Sequence, residues 1–413
     1  MPKAMTARRI VLVGLNYAPE PVGIGPYSAG LAEELAARGH DITAIVGKPY
    51  YPQWRSDPAY AGGWKRSTEN GVQVVRCPHY VPRAPTGFKR VLHLASYALS
   101  SVVPLLGAVV HRSAARPELV VAVAPALFSV VPAWLFARAC GAKLWLHLQD
   151  FEVEAALATG LLGRGARLAL WLEARLLRLA DRVSTISPQM AARLVAKGVA
   201  PERVLEVRNW SDARFSANPA ESLRLRAEWA LGQRKVLLYS GNIARKQGIE
   251  ILIEAARLLA RRGDLVFVIC GEGPNRAHLA ELAEGLGNVE LHDLQPAEGM
   301  GALLGLAALH LLPQIASAAD LVLPSKLTNM LASGRPVIAT TAPGTGLAAE
   351  IEGCGLVTPP GDAAALAAAI EALADDPARC AALGKVARTR AVERWDKGRI
   401  IDGFEAEMER LLG

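Results

Sequence analysis

The sequence predicts an α/β chain built as two doubly wound, Rossmann-like domains. Two observations predict it. Short apolar, β-branched runs alternate with helical stretches along most of the 413 residues, the pattern of parallel strands covered by helices on both faces. That alternation breaks in an irregular, charged stretch and then begins again, so a single sheet does not account for the chain.

The first set of strands is Ile10–Gly14, Ile42–Val46, Leu119–Ala124, Leu144–Leu148 and Arg182–Ile186. Helical stretches fall between them at Tyr27–Arg38, Leu127–Cys140, Ala166–Ala180 and Pro188–Lys197. Asn209–Trp210 and Asn218–Pro219 then act as breakers. The second set runs through Lys235–Ser240, Val266–Cys270, Val289–Leu291, Leu309–Leu312, Val337–Ala339 and Gly355–Val357, and two helices, Ala363–Ala374 and Ile400–Leu412, close the chain. The expected organisation is a first domain over residues 1–207, a linker over 208–233, a second domain over 234–395 and a C-terminal helix over 396–413 packing back toward the first domain. Two facing domains of this kind leave a cleft, into which carboxyl-edge loops open.

Composition narrows the function. Apolar residues make up 51% and charged residues 21%, as in a globular chain. Cys77, Cys140, Cys270, Cys354 and Cys380 lie far apart with no CxxC pair, which argues against a zinc site or a disulfide framework and suits a reducing compartment. Met1–Arg9 is basic but leads into a buried-strand pattern rather than a signal-peptide core, so the expected location is cytoplasmic. Up to Leu205 there are 24 Lys and Arg against 13 Asp and Glu, whereas the remainder has 22 against 26. A basic first half keeps a protein soluble, or draws it to an anionic membrane leaflet or phosphate-bearing substrates. Nucleic acid is not expected, because the basic residues are not interleaved with stacking aromatics. Val91–Val110 is nearly free of charge and long enough to span a bilayer, but Ser96, Tyr97, Ser100, Ser101 and Pro104 make it a poor span. A buried or surface helix is the expectation, and its basic flanks suit an interfacial helix.

The loop after the first strand, Asn16 to Gly25, lacks the G-x-G-x-x-G that a nicotinamide dinucleotide requires. Gly23 and Gly25, ahead of a helix start, can still hold a phosphate through backbone N–H groups, or merely make a turn. The second domain offers a stronger signal in Ser240-Gly241-Asn242-Ile243-Ala244-Arg245-Lys246-Gln247-Gly248. Gly241 permits close backbone approach, and Arg245 and Lys246 offer positive charge for a departing diphosphate; a solvated basic loop is the plain alternative. Gly271-Glu272-Gly273 ends another strand, where the glycines would let a base or ribose lie against backbone. The run from Asp320 through Ser325, Lys326 and Asn329 places an acid, a turn and a cation ahead of a helix, suited to sugar hydroxyls and phosphate. His147 and Asp150 end a first-domain strand and should face the cleft, as contacts to the transferring sugar or the acceptor, or else as a structural hydrogen bond and a helix cap.

These pieces together resemble glycosyltransferase family 4, with its GT-B fold, and most closely its colanic acid and exopolysaccharide branch of fucosyltransferase-like members. The matching stretches are Asn16–Glu20 with Gly23-Ile24-Gly25, Pro49–Trp54, Leu146–Asp150, Tyr239–Gly248, Leu323–Asn329, and Gly355–Val357 with Pro360-Gly361-Asp362. The resemblance runs essentially end to end. It implies a donor site mainly in the second domain, an acceptor site in the first, and retention of anomeric configuration without a bound metal or other cofactor. In such a transfer the donor phosphate itself can accept the acceptor proton, so no protein general base is required. Carried onto this chain, the resemblance gives His147, Asp150 and Asp320 catalytic contacts. It gives Gly23, Gly25, Gly241, Asn242, Arg245, Lys246, Gly271, Glu272, Gly273, Ser325, Lys326 and Asn329 to the donor, and Tyr50, Tyr51 and Trp54 to the acceptor. Asn242 and Gln247 stand where many members have Arg and Lys, leaving Arg245 and Lys246 to supply charge. Asn329 stands at the second position of the family's Glu-x7-Glu motif, Leu321 at the first.

The expected partners are a nucleotide diphosphate sugar, with GDP-fucose as donor, a lipid-linked oligosaccharide acceptor and the anionic inner face of the cytoplasmic membrane. The competing readings are a nucleotide-sugar epimerase on the same fold and a non-catalytic nucleotide-sugar-binding scaffold.

Overall fold

The computed structural model describes residues 6–21, 23–83, 87–110, 116–124, 127–151, 153, 166–211, 218–244, 247–315 and 326–413. The chain forms two compact units, Met1–Arg208 completed by Ile401–Gly413, and Asn209–Ile400.

The first unit runs β1 Arg9–Gly14, α1 Gly25–Ala37, β2 Asp41–Gly47, β3 Lys65–Glu69, β4 Val72–Cys77, α2 Gly87–Val110, β5 Leu119–Ala124, α3 Leu127–Cys140, β6 Lys143–Leu148, α4 Ala166–Leu177, β7 Arg182–Thr185, α5 Pro188–Ala196 and β8 Val204–Glu206. Its sheet has the order β3-β4-β2-β1-β5-β6-β7-β8 and is parallel except for β3 against β4. The β3–β4 hairpin is absent from the expected strand list. Its signal was present: Asn70 and Gly71 both take positive φ, as an Asn-Gly hairpin turn requires. Leu94, Tyr97 and Leu105 of α2, Leu127, Val130 and Phe136 of α3, and Leu177 of α4 share one core with inward residues of β1, β5 and β6.

The second unit runs α6 Pro219–Glu228, β9 Lys235–Ser240, α7 Glu250–Leu258, β10 Leu265–Cys270, α8 Arg276–Leu282, β11 Val289–His292, α9 Met300–Leu306, β12 Ala307–Pro313, α10 Lys326–Ala332, β13 Val337–Thr340, α11 Gly346–Ile351, β14 Gly355–Thr358, α12 Ala363–Ala374 and α13 Pro377–Trp395. The parallel order is β11-β10-β9-β12-β13-β14. The segment 208–233, expected as a linker, holds α6, whose Ser222 hydroxyl donates to Ala302 O of α9 at 2.9 Å. It therefore belongs to the second unit. A third closing helix, α13, also escaped the expectation, although Asp376 caps it by accepting from Arg379 N and Pro377 sits at its first position. The last helix, α14 Lys397–Leu412, places Phe404 against Trp145 of β6 with ring centroids 4.4 Å apart. Its acidic residues pair with first-unit arginines, among them Arg8 with Glu409 at 2.6 Å and Arg182 with Glu407 at 2.8 Å.

Both sheets reverse direction beside their first strand: β1 lies between β2 and β5, and β9 between β10 and β12. Loops leaving the carboxyl ends of the strands diverge there and open a crevice in each unit.

Candidate functional site

In the second unit the crevice is bounded by the loop after β9 and the start of α10. Lys326, the first residue of α10, turns its ammonium inward. Nζ donates to the Tyr239 hydroxyl at 2.9 Å, has Gln247 Oε1 at 3.4 Å, and lies 4.4 Å from the Tyr239 ring centroid. The Tyr239 hydroxyl in turn donates to Asn242 O at 2.7 Å. Tyr239 is fully buried in β9, so the phenol fixes the cation against the loop. Burial pushes the Lys326 ammonium down to about 8. Gly241, at φ 145°, closes this arrangement: a Cβ there would stand 3.2 Å from Lys326 Nζ. An enclosed cation at a sheet crevice is equipped to receive phosphate oxygens and to stabilise charge that grows on them.

Gly271 and Gly273 are required where the loops after β9 and β10 approach each other. A Cβ on Gly271 would lie 1.9 Å from Gly241 O, and one on Gly273 2.2 Å from Ile243 O. These glycines allow the loops after β9 and β10 to touch, with Ile243 N donating to Glu272 O at 2.8 Å. The Glu272 side chain is exposed and faces Arg276 at 3.7 Å. Asn242 is exposed on the same loop, and Asn329 lies one turn into α10. The expected residues Arg245, Lys246, Asp320 and Ser325 lie outside the described residues.

In the first unit, the loop after β1 is organised by Glu20, which the sequence reading did not single out. Its Oε1 accepts from Tyr50 N and Tyr51 N, each at 3.1 Å, and its Oε2 accepts from Asn16 Nδ2 at 2.9 Å. Burial raises the Glu20 carboxyl above its ordinary value, and these three hydrogen bonds oppose that shift. Glu20 thereby ties the β1 loop to the chain beyond β2. Gly23 lies against the Tyr51 ring, and Gly25 opens α1 beside Glu20. Asp150, at the exit of β6, adds to the burial that holds the Tyr51 phenol protonated, as does Glu20. Gly23, Tyr50, Tyr51, Trp54 and Asp150 are thus brought to one crevice.

Two histidines lie under this aromatic group and were also missed. Tyr50 packs edge-on against His93 at 4.6 Å, Trp54 at 5.2 Å and His79 at 5.5 Å between centroids. His93 Nδ1 donates to Tyr80 O at 2.5 Å and His79 Nδ1 to Cys77 O at 3.3 Å, leaving both Nε2 atoms without a hydrogen-bond partner among the described residues. Burial, then the neighbouring His93, pushes His79 down to about 4. His93 falls within the apolar stretch of α2, whose composition hid it.

His147 has the hydrogen bonds of the structural alternative given for it above. Gln149 Nε2 donates to its Nε2 at 2.9 Å, and its Nδ1 donates to Ser184 Oγ at 2.9 Å, an oxygen that also accepts from Trp145 Nε1 at 2.8 Å. Both ring nitrogens are engaged, and burial pushes the ring down to about 4. This is a neutral ring that fastens β6 to β7.

Residues 22–210 match the glycosyl transferase 4-like domain, and residues 234–376 match the glycosyl transferases group 1 domain. WcaI of Escherichia coli K12, which carries the name of a colanic acid biosynthesis glycosyl transferase, is 43% identical over 343 residues, covering 80% of this chain and 83% of that one. The chain belongs to glycosyltransferase family 4. Solved structures place this glycosyltransferase in the GT-B fold. Sucrose-phosphate synthase of Thermosynechococcus elongatus superposes with a TM-score of 0.76 at 21% identity, over 98% of this chain and 99% of that one. Anabaena HepE in complex with UDP-glucose superposes with a TM-score of 0.69 at 16% identity, over 98% of this chain and 100% of that one. Within this glycosyltransferase, Lys326 is a cation enclosed at the second unit's crevice, held by Tyr239.

Proposed function

We propose that the enzyme moves L-fucose from GDP-fucose onto a lipid-linked oligosaccharide during exopolysaccharide assembly of the colanic acid type. The observation that carries the donor side is Lys326, whose ammonium is held by Tyr239 at the crevice between β9 and β12. As the glycosidic bond breaks, negative charge grows on the departing diphosphate, and a fixed cation there lowers the barrier. The acceptor hydroxyl attacks the anomeric carbon from the face the diphosphate leaves, so its bond forms as the bond to the diphosphate breaks and the configuration is retained; the departing diphosphate oxygen accepts the hydroxyl proton, and no metal is invoked. In this reading Arg245, Lys246 and Ser325 also serve the donor, and Asn329 takes ribose hydroxyls. Tyr50 and Tyr51, set by Glu20, and Trp54, packed edge-on to Tyr50, receive the acceptor sugar. The likeness to WcaI supports the exopolysaccharide setting, and the donor rests on the motif resemblance in the sequence alone.

The protein works at the inner face of the cytoplasmic membrane, where a lipid-linked acceptor lies. The basic first half of the chain supports that placement. Thermal-shift measurements with GDP and UDP test the donor: a larger stabilisation by GDP is expected, and a clear preference for UDP would point to a UDP-linked hexose instead.

A further inference from the structure

We propose that the outward faces of α2, α3 and α4 form one docking platform for an anionic lipid bilayer, lying in its interface without crossing it; this rests on the peripheral-membrane reading above.

The helix α2 is long and apolar enough to cross a membrane by length and composition. One of its sides, however, is already engaged. Leu94, Tyr97 and Leu105 enter the sheet core, and the Tyr97 hydroxyl donates to Ile45 O of β2 at 2.8 Å. A helix fixed to a sheet in this way cannot be surrounded by lipid. Its other side is open. Phe88 is 79% exposed and Leu99 73%, and Leu92, Val103 and Leu106 continue the same helical stripe.

The stripe does not end with α2. Helix α3 packs alongside α2 and exposes Phe128, Val131 and Leu135, spaced on one face. Helix α4 contacts α3 and exposes Leu168, Trp171 and Leu172, again on one face. Three adjacent helices thus turn apolar residues to solvent, a larger patch than scattered surface apolar residues explain.

Charge identifies the occupant. The exposed charges on these helices are Lys89, Arg90, Arg138, Arg167 and Arg175; Glu173, their one carboxylate, is buried and paired with Lys197. Arg138 follows Leu135 on its stripe, and the Arg175 guanidinium stands 5.2 Å from the Trp171 ring centroid. An apolar face bordered by Arg and Trp suits lipid tails beneath a layer of anionic headgroups. A second copy seated on this face would bring like charges together, which disfavours a symmetric dimer.

The test uses the full-length protein with neither donor nor acceptor, and vesicles of phosphatidylcholine with or without phosphatidylglycerol. Binding is expected to anionic vesicles, to weaken with salt, and to fall at least about tenfold in Leu99→Glu and in Leu135→Glu, with circular dichroism unchanged. Leu99→Ser and Leu135→Ser serve as milder versions if either glutamate variant misfolds. The vesicle-dependent blue shift in tryptophan emission should shrink in Trp171→Phe. Wild-type binding in all of these variants would overturn the proposal. So would a dimer that Leu135→Glu dissociates in a protein that ignores vesicles. Because no sugar donor is present, intact vesicle binding with no transferase activity would count against the functional reading alone.

Discussion

The Lys326 ammonium donates to the Tyr239 hydroxyl at 2.9 Å while that hydroxyl donates to Asn242 O at 2.7 Å. The relay joins the start of α10 to the loop after β9, so the two segments proposed to hold the diphosphate are fixed to each other. Such preorganisation means that little reorganisation is needed when charge develops.

Removing the cation should therefore act on turnover. Lys326→Ala is expected to lower kcat on the order of a hundredfold, the scale for losing one preorganised electrostatic contact, with the fold retained. Tyr239→Phe keeps the ring beneath Nζ and loses only the hydroxyl; a smaller fall in kcat, on the order of tenfold, is expected with acceptor KM unchanged. Steady-state kinetics on folded variants check both, and wild-type turnover in Lys326→Ala would put the diphosphate elsewhere.

The lowered Lys326 value has two consequences of opposite sign. Between about 8 and the ordinary 10.5 the unfolded chain holds this proton and the folded chain does not, so the contribution of Lys326 to stability rises with pH across that window. Activity runs the other way, because the cation is lost as pH rises through about 8. An alkaline limb in kcat/KM near that value is expected, and it should move to higher pH in Lys326→Arg, since guanidinium stays charged. A limb unmoved by that substitution would belong to another group.

Glu20 should control the acceptor side. Glu20→Ala removes the acceptor of Tyr50 N and Tyr51 N and loosens the loop that carries the aromatic group. A raised acceptor KM with donor KM near wild type is the expected split, measured by varying each substrate in turn.

His147 should behave as a structural residue. His147→Ala leaves the Ser184 and Gln149 groups short of a partner, so a loss of about 1–3 kcal/mol in denaturant unfolding is expected. The folded variant should keep its pH–rate profile, since a neutral ring with both nitrogens engaged transfers no proton.

The fold was largely legible because most of the parallel strands are compact apolar runs, and strands such as Leu119–Ala124 are buried along their whole length. The hairpin Lys65–Cys77 was harder to read, because β3 is an exposed polar edge strand with no apolar run. Helix α13 was hidden by low hydrophobicity despite its Asp376–Pro377 start. At the site, Gly241 of the β9 loop and Lys326 at the start of α10 could be picked by chemistry. Tyr239 could not, because within a strand it reads as a core aromatic and only the fold brings Lys326 onto it. Glu20 and His93 act across distant segments, and sequence spacing carries no trace of such contacts. For His147 the sequence left a contact and a structural hydrogen bond open, because its partner Ser184 becomes visible only when β6 and β7 are paired.

The central claim is that the second unit holds a nucleotide diphosphate sugar while the first presents the acceptor. The most direct measurement incubates the purified protein with a panel of labelled nucleotide sugars, with and without lipid-linked acceptor extract, and follows nucleotide release and label in the lipid fraction. The account predicts release from GDP-fucose that depends on acceptor, matched mole for mole by label in lipid, and reduced on the order of a hundredfold in Lys326→Ala. No acceptor-dependent release from any nucleotide sugar would contradict it.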